Sequence, residues 1–192
     1  MVGNKNNLCI IQARTGSTRL PGKVLMKVNG KTLLEYEIKR IKQSKKVDKI
    51  VVATSTKKND DKIANLCKKI GVDCFRGSEK NVLDRYYQCS LKYPEYGNII
   101  RISADCPLID PKVIDKVVTA FEKNKKFEYV SNVLEETFPY GLAVEVFSRR
   151  ALLLAAKNAK SAFDKEHVTP YIWRNHPDDF QTLPAHPSFD RT

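Results

Sequence analysis

Short apolar runs alternate with amphipathic stretches over the first 122 residues, and that alternation leaves the chain few architectures. Leu8–Ala13, Lys49–Thr54, Val72–Arg76 and Asn98–Ser103 read as strands. They are apolar without strict alternation, which suits strands buried on both faces of a sheet. Between them, Leu34, Ile38 and Ile41 recur at helical spacing, so Lys31–Gln43 reads as an amphipathic helix. Ile63, Leu66, Cys67 and Ile70 mark a second helix, which Gly71 ends. Asn81 is placed to cap a third, carrying Leu83, Tyr86, Tyr87 and Leu91 inward. Asp110 with Pro111 opens a fourth, as N-cap and first helical residue. The pattern predicts an α/β fold, a doubly wound and mostly parallel sheet with helices on both faces. Further on, Phe127–Ser131 and Ala143–Phe147 read as strands, and Arg149–Asn158 and Asp164–Asn175 as helices. Pro170 should kink or restart the last of these.

A chain of 192 residues can build one sizeable core, so a single domain spanning 1–192 is expected. Its longest apolar runs are too short to cross a bilayer, and Met1–Asn7 carries no apolar signal region. The five cysteines form no CxxC pair and no Cys/His set with zinc spacing. These features predict reduced thiols and a cytoplasmic protein with no membrane association. The net charge of +12 invites a polyanionic partner. Its lysines, however, sit on helix exteriors rather than in one stripe studded with aromatics, which argues against nucleic acid.

The most informative segment follows the first strand: Gln12-Ala-Arg-Thr-Gly-Ser-Thr-Arg-Leu-Pro-Gly-Lys23. In open parallel sheets, ligands bind beyond the carboxyl ends of strands. The segment holds three cations (Arg14, Arg19, Lys23), three hydroxyls (Thr15, Ser17, Thr18) and two glycines (Gly16, Gly22). A polyphosphate needs converging N–H groups, which glycine permits, and cations to neutralise it. Three cations crowded into ten residues would otherwise repel one another, so a plain basic turn is the weaker reading. A Walker A loop is excluded, because five residues separate Gly16 from Gly22 and Val24 follows Lys23. No GxGxxG fingerprint occurs.

The string Ala13–Lys23 closely resembles the signature of the sugar-acid cytidylyltransferases, which include the CMP-Kdo and CMP-sialic acid synthetases and the spore-coat polysaccharide group. The spore-coat group is the nearer match. Val51–Thr54, Phe75–Ser78, Val82–Tyr86, Arg101–Leu108, Tyr129–Asn132 and Glu166–Tyr171 also agree with it. The resemblance runs from about residue 8 to 175. It implies a Rossmann-like nucleotidyltransferase fold, magnesium as cofactor, and a homodimer in many members. The implied reaction joins CMP from CTP to an acidic sugar and releases pyrophosphate.

The resemblance assigns Arg14, Arg19 and Lys23 to the triphosphate, with Ala13, Gly16 and Ser17 in the same nucleotide-binding loop. Asp105 is assigned to the metal; on its own, an aspartate before Cys-Pro can equally start a bend. Ser103 matches a base- or phosphate-facing position. Asp84 and Arg85 match a nucleotide-side pair, or form an ordinary ion pair on a helix. Arg76 meets the nucleotide or ends a strand. Glu166 and His167 are candidates for the sugar side or a dimer contact, against a purely structural role for the histidine. Relatives draw a second metal carboxylate from an Arg-x-Thr-x-Asp segment near the C-terminus, where this chain stops at Arg191-Thr192. The expectation is therefore a domain cut short, or a substitute acid such as Glu145. Ala143 stands where the nearer relatives carry aspartate. These two departures motivate an alternative, a catalytically silent nucleotide-binding homologue or partner subunit.

Overall fold

The computed structural model describes residues 6–17, 19–124, 126–134, 138–175 and 180–182. Its main sheet has seven strands: β1 (Asn7–Gln12), β4 (Lys49–Ser55), β5 (Asp73–Gly77), β6 (Asn98–Ser103), β7 (Tyr129–Ser131), β8 (Glu145–Ser148) and β9 (Phe180–Thr182). Their spatial order is β5-β4-β1-β6-β8-β7-β9. All neighbours run parallel except β8, which is antiparallel to both β6 and β7. A two-stranded ribbon, β2 (Lys27–Val28) with β3 (Lys31–Thr32), stands apart. The helices are α1 (Leu33–Ile41), α2 (Asp61–Ile70), α3 (Val82–Leu91), α4 (Pro111–Lys123), α5 (Arg149–Asn158), α6 (Ala162–His167) and α7 (Pro170–Asn175). The expected doubly wound, mostly parallel sheet is what forms.

The continuous apolar runs are explained by two cores, one on each face of the sheet. Cys9, Ile11, Val52, Ile100 and Ile102 pack toward α1, α2 and α4, against residues such as Leu34, Ile63 and Ile114. Their alternates Leu8, Ile10, Val51, Ala53 and Ile99 pack toward α3, α5 and α7, against Leu83, Tyr86, Leu152 and Ile172. Truncating a fully buried residue such as Ile11 to alanine would cost about 2–5 kcal/mol.

Local chemistry sets the helix limits. α1 starts later than the apolar spacing suggests, because Thr32 and Glu35 form a reciprocal capping box. Asn81 caps α3 through a hydrogen bond from Asp84 N–H, and Asp110 caps α4, both as expected. Gly71 ends α2 with φ 66°. The segment read as one helix over Asp164–Asn175 is two, and Pro170 begins the second. No helix among the described residues is long and apolar enough to cross a membrane.

Candidate active site

The chain winds outward from β1 through β4 to β5, then returns to the other side of β1 as β6. Loops leaving two such strands diverge and open a crevice at their carboxyl ends. Here these loops are 13–23 and 104–110. Their roots are tied together: Gln12 pairs with Ser103, and Ala104 N–H donates to Gln12 O at 3.0 Å.

The first loop folds around one carbonyl. Thr15 O accepts from Ser17 N–H at 3.0 Å and from Gly22 N–H at 2.8 Å. Gly22 takes φ 73°, a left-handed conformation that a side chain would strain. A single 3₁₀ turn, Lys23–Leu25, follows and buries Val24. Asp60, 3% exposed, anchors the start of the loop. Its Oδ1 accepts from Thr15 N–H at 2.8 Å and from the Thr15 hydroxyl at 2.7 Å, and its Oδ2 accepts from the Ser55 hydroxyl. Burial alone would raise the Asp60 carboxyl, but these hydrogen bonds outweigh it and hold the group below its ordinary value.

The folded loop brings Lys23 to Asp105, with Nζ 2.6 Å from Oδ2. Their side chains are 29% and 44% exposed, so the pair is weak and open to exchange with a ligand. Arg14, Ser17, Arg19, Lys23, Ser103 and Asp105 line one cleft of about 230 Å³. The other Asp105 oxygen, Oδ1, accepts only from the Cys106 thiol among the described residues, at 4.0 Å. Among the described residues no group of three or more His, Cys, Asp or Glu is placed to hold a metal. One carboxylate beside a cleft lined by cations would still suit magnesium, which can complete its shell with phosphate oxygens and water. Burial, with Glu37 and Asp105 adding to it, pushes the Cys106 thiol up to about 12, so it supplies no nucleophile.

Arg14 is shared with two adjoining clefts. One, of about 470 Å³, runs past Glu79, Asn81, Lys165 and Glu166. The other, of about 150 Å³, is lined by Gln12, Arg85, Arg101, Glu166 and His167. α6 therefore delivers both members of the Glu166–His167 pair to the neighbourhood of the loop. It ends in a γ-turn centred on Val168 (φ 72°, ψ −58°), with Thr169 N–H donating to His167 O at 2.9 Å. That turn is strained for a β-branched residue, and Val168, fully buried, is held there by its packing.

Several sequence expectations need correction. Glu145 is no substitute metal ligand or substrate contact, because it is 5% exposed and its carboxylate is already engaged. It pairs with Arg101 and accepts from Tyr129 Oη at 2.8 Å and Thr169 Oγ1 at 2.6 Å. Asp84 and Arg85 form no ion pair: Asp84 faces Gln88 along α3, while Arg85 turns inward, 1% exposed. Asp84 lines none of the three clefts. Arg76 is structural, binding Ser55 O, Lys57 O and the Asp61 carboxylate. Both loop glycines lie in the segment as read, Gly22 with a left-handed φ of 73° and Gly16 without one. Ala13 is buried and donates its N–H to Ala53 O, so it lines the 150 Å³ cleft from the core side. Ala143 is exposed, its backbone beside the Cys106 thiol. Thr18 and Arg191-Thr192 lie outside the described residues.

Sequence reasoning missed Asp60, Gln12 and Arg101. A hydroxyl at a strand end followed five residues later by aspartate (Ser55, Asp60) is too common a pattern to single out. Arg101 sits mid-strand among apolar residues, and a cation at such a position was a usable signal.

A profile of the cytidylyltransferase family matches residues 8–191. The chain belongs to the cytidylyltransferase family. An uncharacterised protein of Methanocaldococcus jannaschii is 50% identical over 166 residues, covering 86% of this chain and 66% of its own length. The spore coat polysaccharide biosynthesis protein SpsF of Bacillus subtilis is 40% identical over 176 residues, 88% of this chain and 70% of its own. The chain thus spans about two thirds of the length of these curated relatives. Among solved structures, a cytidylyltransferase from Leptospira borgpetersenii superposes with a TM-score of 0.89 at 34% identity. That match covers 94% of this chain and 76% of the other. This cytidylyltransferase has the Rossmann-like nucleotidyltransferase fold that the Ala13–Lys23 string implied.

Proposed function

We propose that this cytidylyltransferase transfers CMP from CTP to an acidic sugar, with magnesium at Asp105, and releases pyrophosphate. The observation that carries this reading is the meeting of Lys23 with Asp105 at the switch point of the sheet. Two loops of unrelated sequence there present cations and a carboxylate to one cleft. Arg14, Arg19 and Lys23 grip the triphosphate, and Lys23 exchanges its carboxylate partner for phosphate oxygens when CTP binds. A magnesium ion held by Asp105 supplies further neutralisation of the phosphates. The acceptor hydroxyl attacks the α-phosphorus in line, the bond to the bridging oxygen breaks, and pyrophosphate leaves. No covalent protein intermediate is required, because such transfers rest on positioning and charge stabilisation.

The choice of CTP follows the family, and the name of the Bacillus relative favours a product destined for polysaccharide. We further propose a homodimer, as in many members of the family it resembles, of single-domain chains, which the length of 192 residues favours, in the cytoplasm, which the five free cysteines favour. The test is a pyrophosphate-release assay with CTP, magnesium and a panel of acidic sugars. Release should require all three, and Asp105→Ala should lower it by about 100-fold or more. Release from UTP and neutral sugar phosphates, with none from CTP and any acid, would sink the proposal.

A further inference from the structure

Two cysteines meet where α2 turns back into β5, outside the three clefts at the loop. Gly71 ends the helix with φ 66°, and Val72 N–H donates to Cys67 O at 3.0 Å. The chain reverses there and reaches Cys74 within β5. Cys74 pairs with Val52 on β4 and packs against the same core cluster that holds Val52 and Cys67. Its side chain therefore faces α2, and the Cys67 thiol donates a hydrogen bond to the Cys74 sulfur.

The two thiols differ in what they can do. Cys67 is fully buried, whereas Cys74 lies on the edge strand β5 and is half-buried. The hydrogen bond from Cys67 holds the Cys74 thiol below its ordinary value against the effect of burial, and the Arg76 guanidinium adds to this. The other cysteines go the opposite way. Burial raises the Cys9 thiol and pushes those of Cys89 and Cys106 up to about 12. A reactive thiol is one that ionises and that solvent can reach. Cys74 meets both conditions, and Cys67 stands beside it as a resolving thiol.

We propose that Cys67 and Cys74 form a redox-active dithiol, a modification site that small disulfides of the glutathione class convert into an intramolecular disulfide. The Cys74 thiolate attacks one sulfur of the oxidant, the bond between the oxidant's sulfurs breaks, and one thiolate leaves. Cys67 then gives up its proton and attacks Cys74 Sγ, closing the internal bond to about 2.05 Å as the second thiolate leaves. The protein loses two electrons, the oxidant gains them, and the two thiol protons end on the two released thiols. Excess reducing thiol runs the exchange backward and restores the pair. The bond ties the last turn of α2 to β5. α2 begins beside Asp60, the anchor of the phosphate loop, and β5 leads to Glu79 and Asn81 of the 470 Å³ cleft.

The test incubates the folded chain with millimolar glutathione disulfide, blocks remaining thiols with N-ethylmaleimide, digests with trypsin and maps the peptides by mass spectrometry. Cleavage after Lys68 and Lys69 separates the two cysteines, so the disulfide appears as peptide 63–68 joined to peptide 70–76. Wild type should lose two hydrogens and yield that joined pair, while Cys9, Cys89 and Cys106 stay free. Dithiothreitol should return it to five free thiols. Cys67→Ser should stop at the mixed disulfide, with glutathione held on Cys74, and Cys74→Ser should take up none. Melting curves of both variants before oxidation separate altered chemistry from unfolding, and the wild-type map decides the matter should either variant fail to fold. No joined pair in wild type, a bond from Cys74 to Cys89 instead, or glutathione that stays on wild-type Cys74 would overturn the proposal. Glutathione taken up elsewhere by folded Cys74→Ser would overturn it as well.

Discussion

Replacing Asp60 by alanine should loosen the phosphate loop at its root and lower stability together with CTP affinity. Asp60 accepts three hydrogen bonds, two from Thr15 and one from Ser55. Thr15 is partly exposed, so water can replace the carboxylate there. Ser55 is fully buried, and its hydroxyl would be left without its acceptor. A buried donor stranded in this way, plus two charge-assisted bonds partly replaced by water, sums to about 3 kcal/mol. For a chain of this length that is a fall in melting temperature of about 6–12 °C. Asp60→Asn keeps an acceptor and should cost about 1 kcal/mol. The pH dependence separates charge from shape. A carboxyl whose folded value is depressed contributes stability that is fully present above its unfolded value of about 3.9 and lost as pH falls through the lower folded value. Urea unfolding of wild type and both variants between pH 3 and 7 reads all three effects. Asp60→Ala as stable as wild type, or Asp60→Asn with the same acid-side loss, would refute the reasoning.

Two other substitutions test neighbouring features. Glu37 on α1 is fully buried beneath Cys106, and neither of its oxygens makes a hydrogen bond of normal geometry among the described residues. Burial pushes its carboxyl well above the ordinary value, only partly offset by the Cys106 backbone. A raised carboxyl contributes stability below the unfolded value of about 4.3 and loses it as pH rises. Glu37→Gln should therefore raise the melting temperature at pH 8 and change it little at pH 4, by differential scanning calorimetry. Gly77→Ala forces Phe75 or Arg85 to move and should cost about 1–3 kcal/mol, read by urea unfolding.

The sheet was legible because its chemistry is local. Strands buried on both faces must be continuously apolar, and Leu8–Ile11 and Val51–Ala53 are. Caps at Asn81 and Asp110 were equally plain, since one side chain satisfies a neighbouring N–H. The crowding of three cations into the loop after β1 was visible in the sequence as well. What could not be read was anything fixed by tertiary contact. Glu145 looks available in sequence, yet Arg101, Tyr129 and Thr169 consume it from three other elements. Arg85 sits at a position suited to a surface pair and turns into the core, because Gly77 on β5 leaves space. The Thr32–Glu35 capping box was readable and overlooked, and it shifted the start of α1.

The central claim is that the turn after β1, facing Asp105, grips a triphosphate. Calorimetric titration of CTP and of CMP into wild type and Lys23→Met tests it most directly. Lys23 should contribute one charge-assisted contact to the outer phosphates, about 1.5–3 kcal/mol, or about 10- to 100-fold in affinity. CTP should bind wild type far more tightly than CMP, and Lys23→Met should lose that factor for CTP while leaving CMP nearly unchanged. CTP bound no better than CMP, or equally well by the variant, would contradict the account.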